Sequence, residues 1–303
     1  MMPAAETEMD VETKNPERRG LRKGLYLIPS VFTAANIGMG FYAVMSAIRG
    51  FQLVDSGNQA DMLQAAAYLD NAAKAIGWAV LFDMLDGRIA RMTKTTTEIG
   101  VQLDSIADVI TFGLAPAILA YVWGYGASLA EGSDLHNLAW FLSFMYLMCG
   151  GFRLARFNVQ SSRPRILAEG TIKMDKKSFV GLPIPVAGGL IAAIIHFAPM
   201  PLVYYGPERA HVYSLLLMAL VGLLSLLMVS TLRFSSFKTV GTRRRGMRTI
   251  ILAVAVGTLI FLYSRYVLLA IVVGYIVHGL LSRLVGIFRR RSEVRDATTQ
   301  TSQ

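Results

Sequence analysis

Eight stretches of this chain, at about 31–48, 72–93, 102–124, 137–155, 180–198, 212–232, 249–264 and 266–285, are predominantly apolar and long enough to reach across a bilayer. A hydrocarbon core of ~30 Å takes about 20 helical residues, and lipid offers no partner to an unpaired N–H or C=O. Runs of this length predict helices, because a membrane barrel would show shorter segments of alternating polarity. The expected fold is an all-α integral membrane protein with about eight transmembrane helices. A composition of 54% hydrophobic and 17% charged residues agrees, since soluble domains carry ~25% charged residues. The last two runs are parted only by Ser264 and Arg265, which predicts a tight hairpin there. Residues 1–24 and 291–303 are polar and are expected to be disordered flanks of a single transmembrane domain, 25–290. The first segment has no apolar core of a signal peptide, and the single Cys149 supports no intramolecular disulfide.

Charge sets the expected orientation. Segments 1–30, 88–97, 153–178, 233–248 and 283–303 hold 26 of the 30 Lys and Arg residues. The positive-inside rule places these segments, and so both termini, in the cytoplasm. The net charge of +10 is therefore one-sided. It reads as a topology signal and an attraction to anionic headgroups of membrane lipids, not as a nucleic-acid interface.

Against this background four acids stand out. Asp83 and Asp86 are spaced i, i+3 on the second run, and Asp104 and Asp108 i, i+4 on the third, so each pair shares a helix face. At 1.5 Å per residue, Asp83 and Asp108 both lie ~12 Å from the intervening turn, and an antiparallel hairpin can turn the two faces together. Each Asp costs ~2.5–3.5 kcal/mol at mid-membrane, so the set needs neutralising. Arg88 and Arg91 offset part of it. Hard divalent cations do so better, as Mg²⁺ takes few carboxylates and completes its shell with water and phosphate oxygens. Two metals ~3.5–4 Å apart suit phosphoryl chemistry. Arg91 is a candidate phosphate fork, and Gly87 and Gly100 allow close approach of a bulky ligand. A single such Asp would read as a helix-to-helix hydrogen bond; four at this spacing read as a site.

The pattern Asp83-x-x-Asp86-Gly87-x-x-Ala90-Arg91, eight residues, Gly100, three, Asp104, three, Asp108 resembles the full signature of the CDP-alcohol phosphotransferases, membrane enzymes that move a substituted phosphoryl group from a CDP-linked alcohol to a second alcohol and release CMP. The resemblance implies a catalytic domain with a six-helix core, a homodimer, and two Mg²⁺ or Mn²⁺ ions per active site. Asp83, Asp86, Asp104 and Asp108 would be the metal ligands, Asp83 and Asp104 touching both ions, with Asp108 also the general base. Gly87 and Arg91 would contact the CDP moiety of the lipid substrate, CDP-diacylglycerol, with Thr97 a further contact. "IPSVFTAANIGMG", at 28–40, resembles the family's first-helix start, which adds Ser30, Thr33 and Asn36.

Two later segments, "GGFRLARFNVQ" at 150–160 and "FVGLPIPVAGG" at 179–189, resemble the bacterial-type phosphatidylserine synthase branch, which adds two helices to the six. That resemblance implies L-serine as acceptor and, in a bacterium, a multi-pass inner-membrane protein with a cytoplasmic site. Arg153 and Arg156, spaced i, i+3, can form a fork for a carboxylate, and Asn158 a partner for the amine. Glycerol 3-phosphate or an inositol phosphate would also suit two arginines. A divalent-cation transporter is the rival from another class, but all four acids cluster within 26 residues and no ladder of ionisable groups continues through the other spans. Among the four histidines, His136, His196 and His211 fall toward the outer side, and His278 is expected to make a polar contact within the last span.

Overall fold

The computed structural model describes residues 16–54, 58–93, 98–162, 178–235, 262–279 and 281, and most of them are helical. Helix α1 spans Pro16–Val54 and α2 Gln59–Thr93. Helix α3, Glu98–Asp108, runs into a π-helical segment, Val109–Leu114, then α4, Ala115–Ala120, and a second π segment, Tyr121–Tyr125. Helix α5 is Asp134–Ser162, α6 Ile184–Phe197 and α7 Pro207–Val229. Strands β1, Ser178–Val180, and β2, Arg233–Ser235, pair antiparallel with Phe179 opposite Phe234. A last helix, α8, covers Leu262–Gly279.

Among the described residues, five helical stretches are long and apolar enough to cross a membrane: Val31–Val54, Ile99–Tyr125, Asp134–Gln160, Pro207–Val229 and Leu262–Gly279. The protein is an all-α membrane protein, with the two three-residue strands a minor addition. Helix α2 falls outside these five because it carries Asp70, Lys74, Asp83 and Asp86. The run expected at 180–198 shortens to α6, with 14 residues. Its start is extended because Gly181 takes a positive φ of 82° and Pro183 and Pro185 follow.

Two other boundaries differ from expectation. Helix α1 begins at Pro16, inside the segment read as a polar flank, and proline suits a first helical position. Helix α8 runs unbroken through Ser264 and Arg265, so no hairpin forms there; neither residue breaks a helix as Gly or Pro would. Residues 1–15, 249–261 and 291–303 lie outside the described residues.

Packing follows side-chain size. Lipid tails are as apolar as leucine, so helix association relies on close contact. Helices α1 and α2 pair closely, and Ala43, Ala47, Ala65, Ala66, Ala72, Ala73 and Ala79 are buried. Where α1 crosses the first π segment, a Cβ on Gly40 would stand 2.9 Å from the Thr111 Cα, so only glycine fits. Large apolar side chains such as Phe41, Trp78, Trp140 and Leu226 face outward.

The first π segment has a local cause. Pro116 has no N–H to give the carbonyl four residues back, which is Phe112 O. Tyr146 of α5 donates its hydroxyl to that oxygen at 3.0 Å, and the ladder shifts, with Ala115 N–H bonding Ile110 O. Tyr146 and Phe112 are both fully buried. The segment begins at the residue after Asp108, at the edge of the acidic site.

Candidate active site

Helices α2 and α3 bring the acids together. One carboxylate oxygen from each of Asp83, Asp104 and Asp108 lies within 4.8 Å of the others. Asp108 and Asp86 are buried, Asp83 and Asp104 partly so. Asp86 stands slightly apart: it lies within charge–charge reach of Asp83 and Asp104, and Thr33 of α1 donates its hydroxyl to Asp86 Oδ2. The fourth acid is thus held by a protein donor, while three present oxygens to a common point.

Helix α1 supplies a second wall. Asn36 is 1% exposed, its carbonyl accepts from Thr111 Oγ1 at 3.0 Å, and its side-chain Oδ1 and Nδ2 have no hydrogen-bond partner. Asp108 Oδ1 is likewise buried and unpartnered. Buried polar atoms are normally satisfied, so these unpaired atoms beside a carboxylate trio mark a place built for polar ligands. Several hard oxygen donors without sulfur or imidazole suit Mg²⁺, Mn²⁺ or Ca²⁺ better than a soft transition metal. The residues present fit a divalent cation.

Helix α5 forms the third wall and divides the work of its two arginines. Arg153 is 7% exposed, its Nε has no partner, and its charge reaches Asp108 and the Tyr275 phenol of α8. Arg156 turns away: Nη1 and Nη2 donate to the carbonyls of Val229 at 3.0 Å and Ser230 at 3.3 Å. Those carbonyls end α7, so the cation meets the negative end of the helix dipole. Gly181 sits in the same junction, where a Cβ would lie 2.3 Å from Met228 O. Asn158 donates from Nδ2 to Ser105 Oγ at 2.8 Å, tying α5 to the helix that carries Asp104 and Asp108.

Of the residues singled out from the sequence, Asp83, Asp104, Asp108, Asp86, Thr33, Asn36 and Arg153 converge. Arg156 and Asn158 brace the walls. Gly87 is half-buried on α2. The side chains of Ser30 and Arg91 and the whole of Thr97 lie outside the described residues, and Arg88 is exposed. Sequence reasoning passed over Thr111, Tyr146 and Tyr275. A proline inside a long apolar run was the available signal for the first two, because it predicts a freed carbonyl four residues earlier. His278 is exposed, off the packed stripe of α8; His196 is the buried histidine with partners.

With this geometry in hand, the comparisons with known proteins are specific. The CDP-alcohol phosphatidyltransferase family matches residues 26–215, well over half of the chain and all of the acidic site. A CDP-diacylglycerol–serine O-phosphatidyltransferase of Helicobacter pylori is 29% identical over 257 residues, covering 85% of this chain and 91% of the relative. Proteins of the same name from Methanocaldococcus jannaschii and Saccharomyces cerevisiae are 32% identical over 171 residues and 28% over 204. These alignments cover 56% and 67% of this chain, and 67% and 66% of the two relatives. An acidic trio from two helices, walled by α1 and by a buried arginine, lies wholly inside the matched span, and the chain belongs to the CDP-alcohol phosphatidyltransferase family.

Proposed function

We propose that this membrane enzyme transfers the phosphatidyl group of CDP-diacylglycerol to the hydroxyl of L-serine, giving phosphatidylserine and CMP. The names of the relatives support the substrates. The observation that carries the reading is a buried arginine, Arg153 of α5, within charge–charge reach of Asp108, one of the carboxylate trio. A serine bound there would set its carboxylate on a guanidinium and its hydroxyl toward a carboxylate base.

Asp83, Asp86, Asp104 and Asp108 would hold two Mg²⁺ or Mn²⁺ ions, which supply charge neutralisation at the pyrophosphate. The protein's own groups do the rest. Asp108 accepts the serine proton as the serine oxygen bonds to the lipid-proximal phosphorus and the bond to the CMP oxygen breaks. Asn36 and Thr33 border the nucleotide side, with Gly87, Arg91, Ser30 and Thr97 as further contacts to CDP-diacylglycerol. Arg153 orients the acceptor, and Arg156 and Asn158 hold the walls that place it. In this reading the enzyme is a homodimer, both termini and the site face the cytoplasm, and the protein lies in the inner membrane of a bacterial cell.

The test is CMP release by purified protein in detergent with CDP-diacylglycerol and Mg²⁺ or Mn²⁺, with serine, glycerol 3-phosphate and an inositol phosphate offered separately. Serine-dependent CMP that a chelator abolishes and Asp108→Asn lowers by about 10³-fold is expected. Turnover with glycerol 3-phosphate or inositol phosphate alone keeps the family and removes serine.

A further inference from the structure

One face of α1 meets both acid-bearing helices. Thr33, Asn36, Gly40, Ala43 and Ala47 recur at spacings of three and four, so they share that face, and all of them are buried. Thr33 donates its hydroxyl to Asp86 of α2. About one turn further along α1, the carbonyl of Asn36 accepts from Thr111 Oγ1 at 3.0 Å. Thr111 itself stands about one turn beyond Asp108 in the third span. Asn36 is therefore bracketed by one contact to the helix of Asp86 and another to the span of Asp108.

Gly40 makes the second contact possible. A Cβ there would collide with Thr111 Oγ1 and stand 3.1 Å from the Thr111 Cβ, so the glycine leaves a notch in which the threonine side chain sits. A helical threonine commonly turns its hydroxyl to a carbonyl of its own helix, four residues back. The buried Thr111 hydroxyl donates across to α1 instead. Asn36 lies inside the unbroken helix α1, so its carbonyl keeps a partner in the helix ladder without Thr111. What the hydroxyl adds is a fixed height of α1 against the third span.

A second buried polar cluster shows the contrast. His196 Nδ1 lies 2.5 Å from Asp70 Oδ1 and Nε2 lies 2.9 Å from Ser264 Oγ, while Asp70 Oδ2 lies 2.8 Å from Lys74 Nζ. That junction of α2, α6 and α8 is closed on itself. Asn36 differs: its backbone is held and its amide is not, with Oδ1 and Nδ2 both unpaired at 1% exposure. An amide carries two donors and an acceptor, and burying them without partners is costly, so the side chain is set for a polar ligand. We propose that Thr111 is a positioning residue for the nucleotide end of the lipid substrate: its hydroxyl, seated in the Gly40 notch, sets where α1 presents the Asn36 amide relative to Asp108. This role rests on the reading of Asn36 as a contact to CDP-diacylglycerol given above.

The experiment measures the Kd of full-length protein in detergent for CDP-diacylglycerol with Mg²⁺, together with the KM for serine and the thermal midpoint. Asn36→Ala should weaken CDP-diacylglycerol binding about tenfold. Thr111→Val keeps the branched shape and removes the donor; it should weaken binding about fivefold and leave the serine KM and the midpoint unchanged. Thr111→Ala, which needs no room beside Gly40, should weaken binding equally, and Thr111→Ser, which restores the hydroxyl, should bind as the parent does. In an Asn36→Ala background Thr111→Val should add nothing, because it acts through that amide. Parent-like binding by Thr111→Val and Thr111→Ala, additive losses in the double variant, or a loss that follows the midpoint and is not rescued by Thr111→Ser overturns the role. If the parent fails to bind CDP-diacylglycerol, or Asn36→Ala binds it as the parent does, the reading of Asn36 fails and takes this role with it. A weakened Asn36→Ala beside an unaltered Thr111→Val removes this role alone.

Discussion

Helix α2 carries two acids that the protein treats in opposite ways. Asp70 and Asp83 lie thirteen residues apart, ~20 Å along one helix. Asp70 is bonded by His196 at one oxygen and Lys74 at the other, and among the described residues no like charge acts on it. Asp83 has two acids within 4.8 Å. A carboxylate at membrane depth is costly unless neutralised. The first is neutralised by the chain itself and so belongs to the architecture. The second is set among like charges, a repulsion that a bound cation or a proton would relieve. What surrounds an acid, more than the acid itself, tells which role it has.

The sharpest way to break this comparison is to neutralise one acid at each end. Asp83→Asn should lower turnover by about 10³-fold, ~4 kcal/mol in the barrier, while the thermal midpoint in detergent stays level or rises because like-charge repulsion is reduced. A midpoint that falls with activity would put Asp83 in the structural class. Asp70→Asn should do the reverse. Breaking a buried pair costs ~3–5 kcal/mol, and the half-exposed Lys74 brings the expected loss down to ~2–3 kcal/mol, with kcat per folded molecule unchanged. Loss of kcat at full stability would refute that division. Smallest is Tyr146→Phe, which strands the Phe112 carbonyl and should cost ~1–3 kcal/mol; no change in midpoint would show that the π segment satisfies that oxygen otherwise.

The asymmetry also explains what could be read in advance. Asp83, Asp86, Asp104 and Asp108 are close in sequence on two successive helices, so period and spacing alone bring them together. The Asp70 junction joins residues 126 and 68 positions apart, and no local pattern encodes such a meeting. Arg156 was legible as a cation near a boundary, yet its partners are backbone carbonyls of Val229 and Ser230, which have no side-chain identity to detect. The hairpin expected at Ser264 and Arg265 failed for a related reason. Two polar residues interrupt hydropathy without interrupting a helix, and Ser264 is spent on His196.

The π segment at Val109–Leu114 has a consequence for how the third span tolerates change. Each i→i+5 turn takes one residue more than an α turn, so the faces before and after it are offset by ~100°. The half bearing Asp104 and Asp108 points toward the acids of α2, while the half from Ala115 onward presents Pro116 to Gly188 of α6. Deleting one residue between 109 and 114 would restore an even ladder and turn these two halves out of phase, although no residue of the acidic site would be touched. A substitution there that kept the length would leave the phase intact. What this segment contributes to the site is its count of residues.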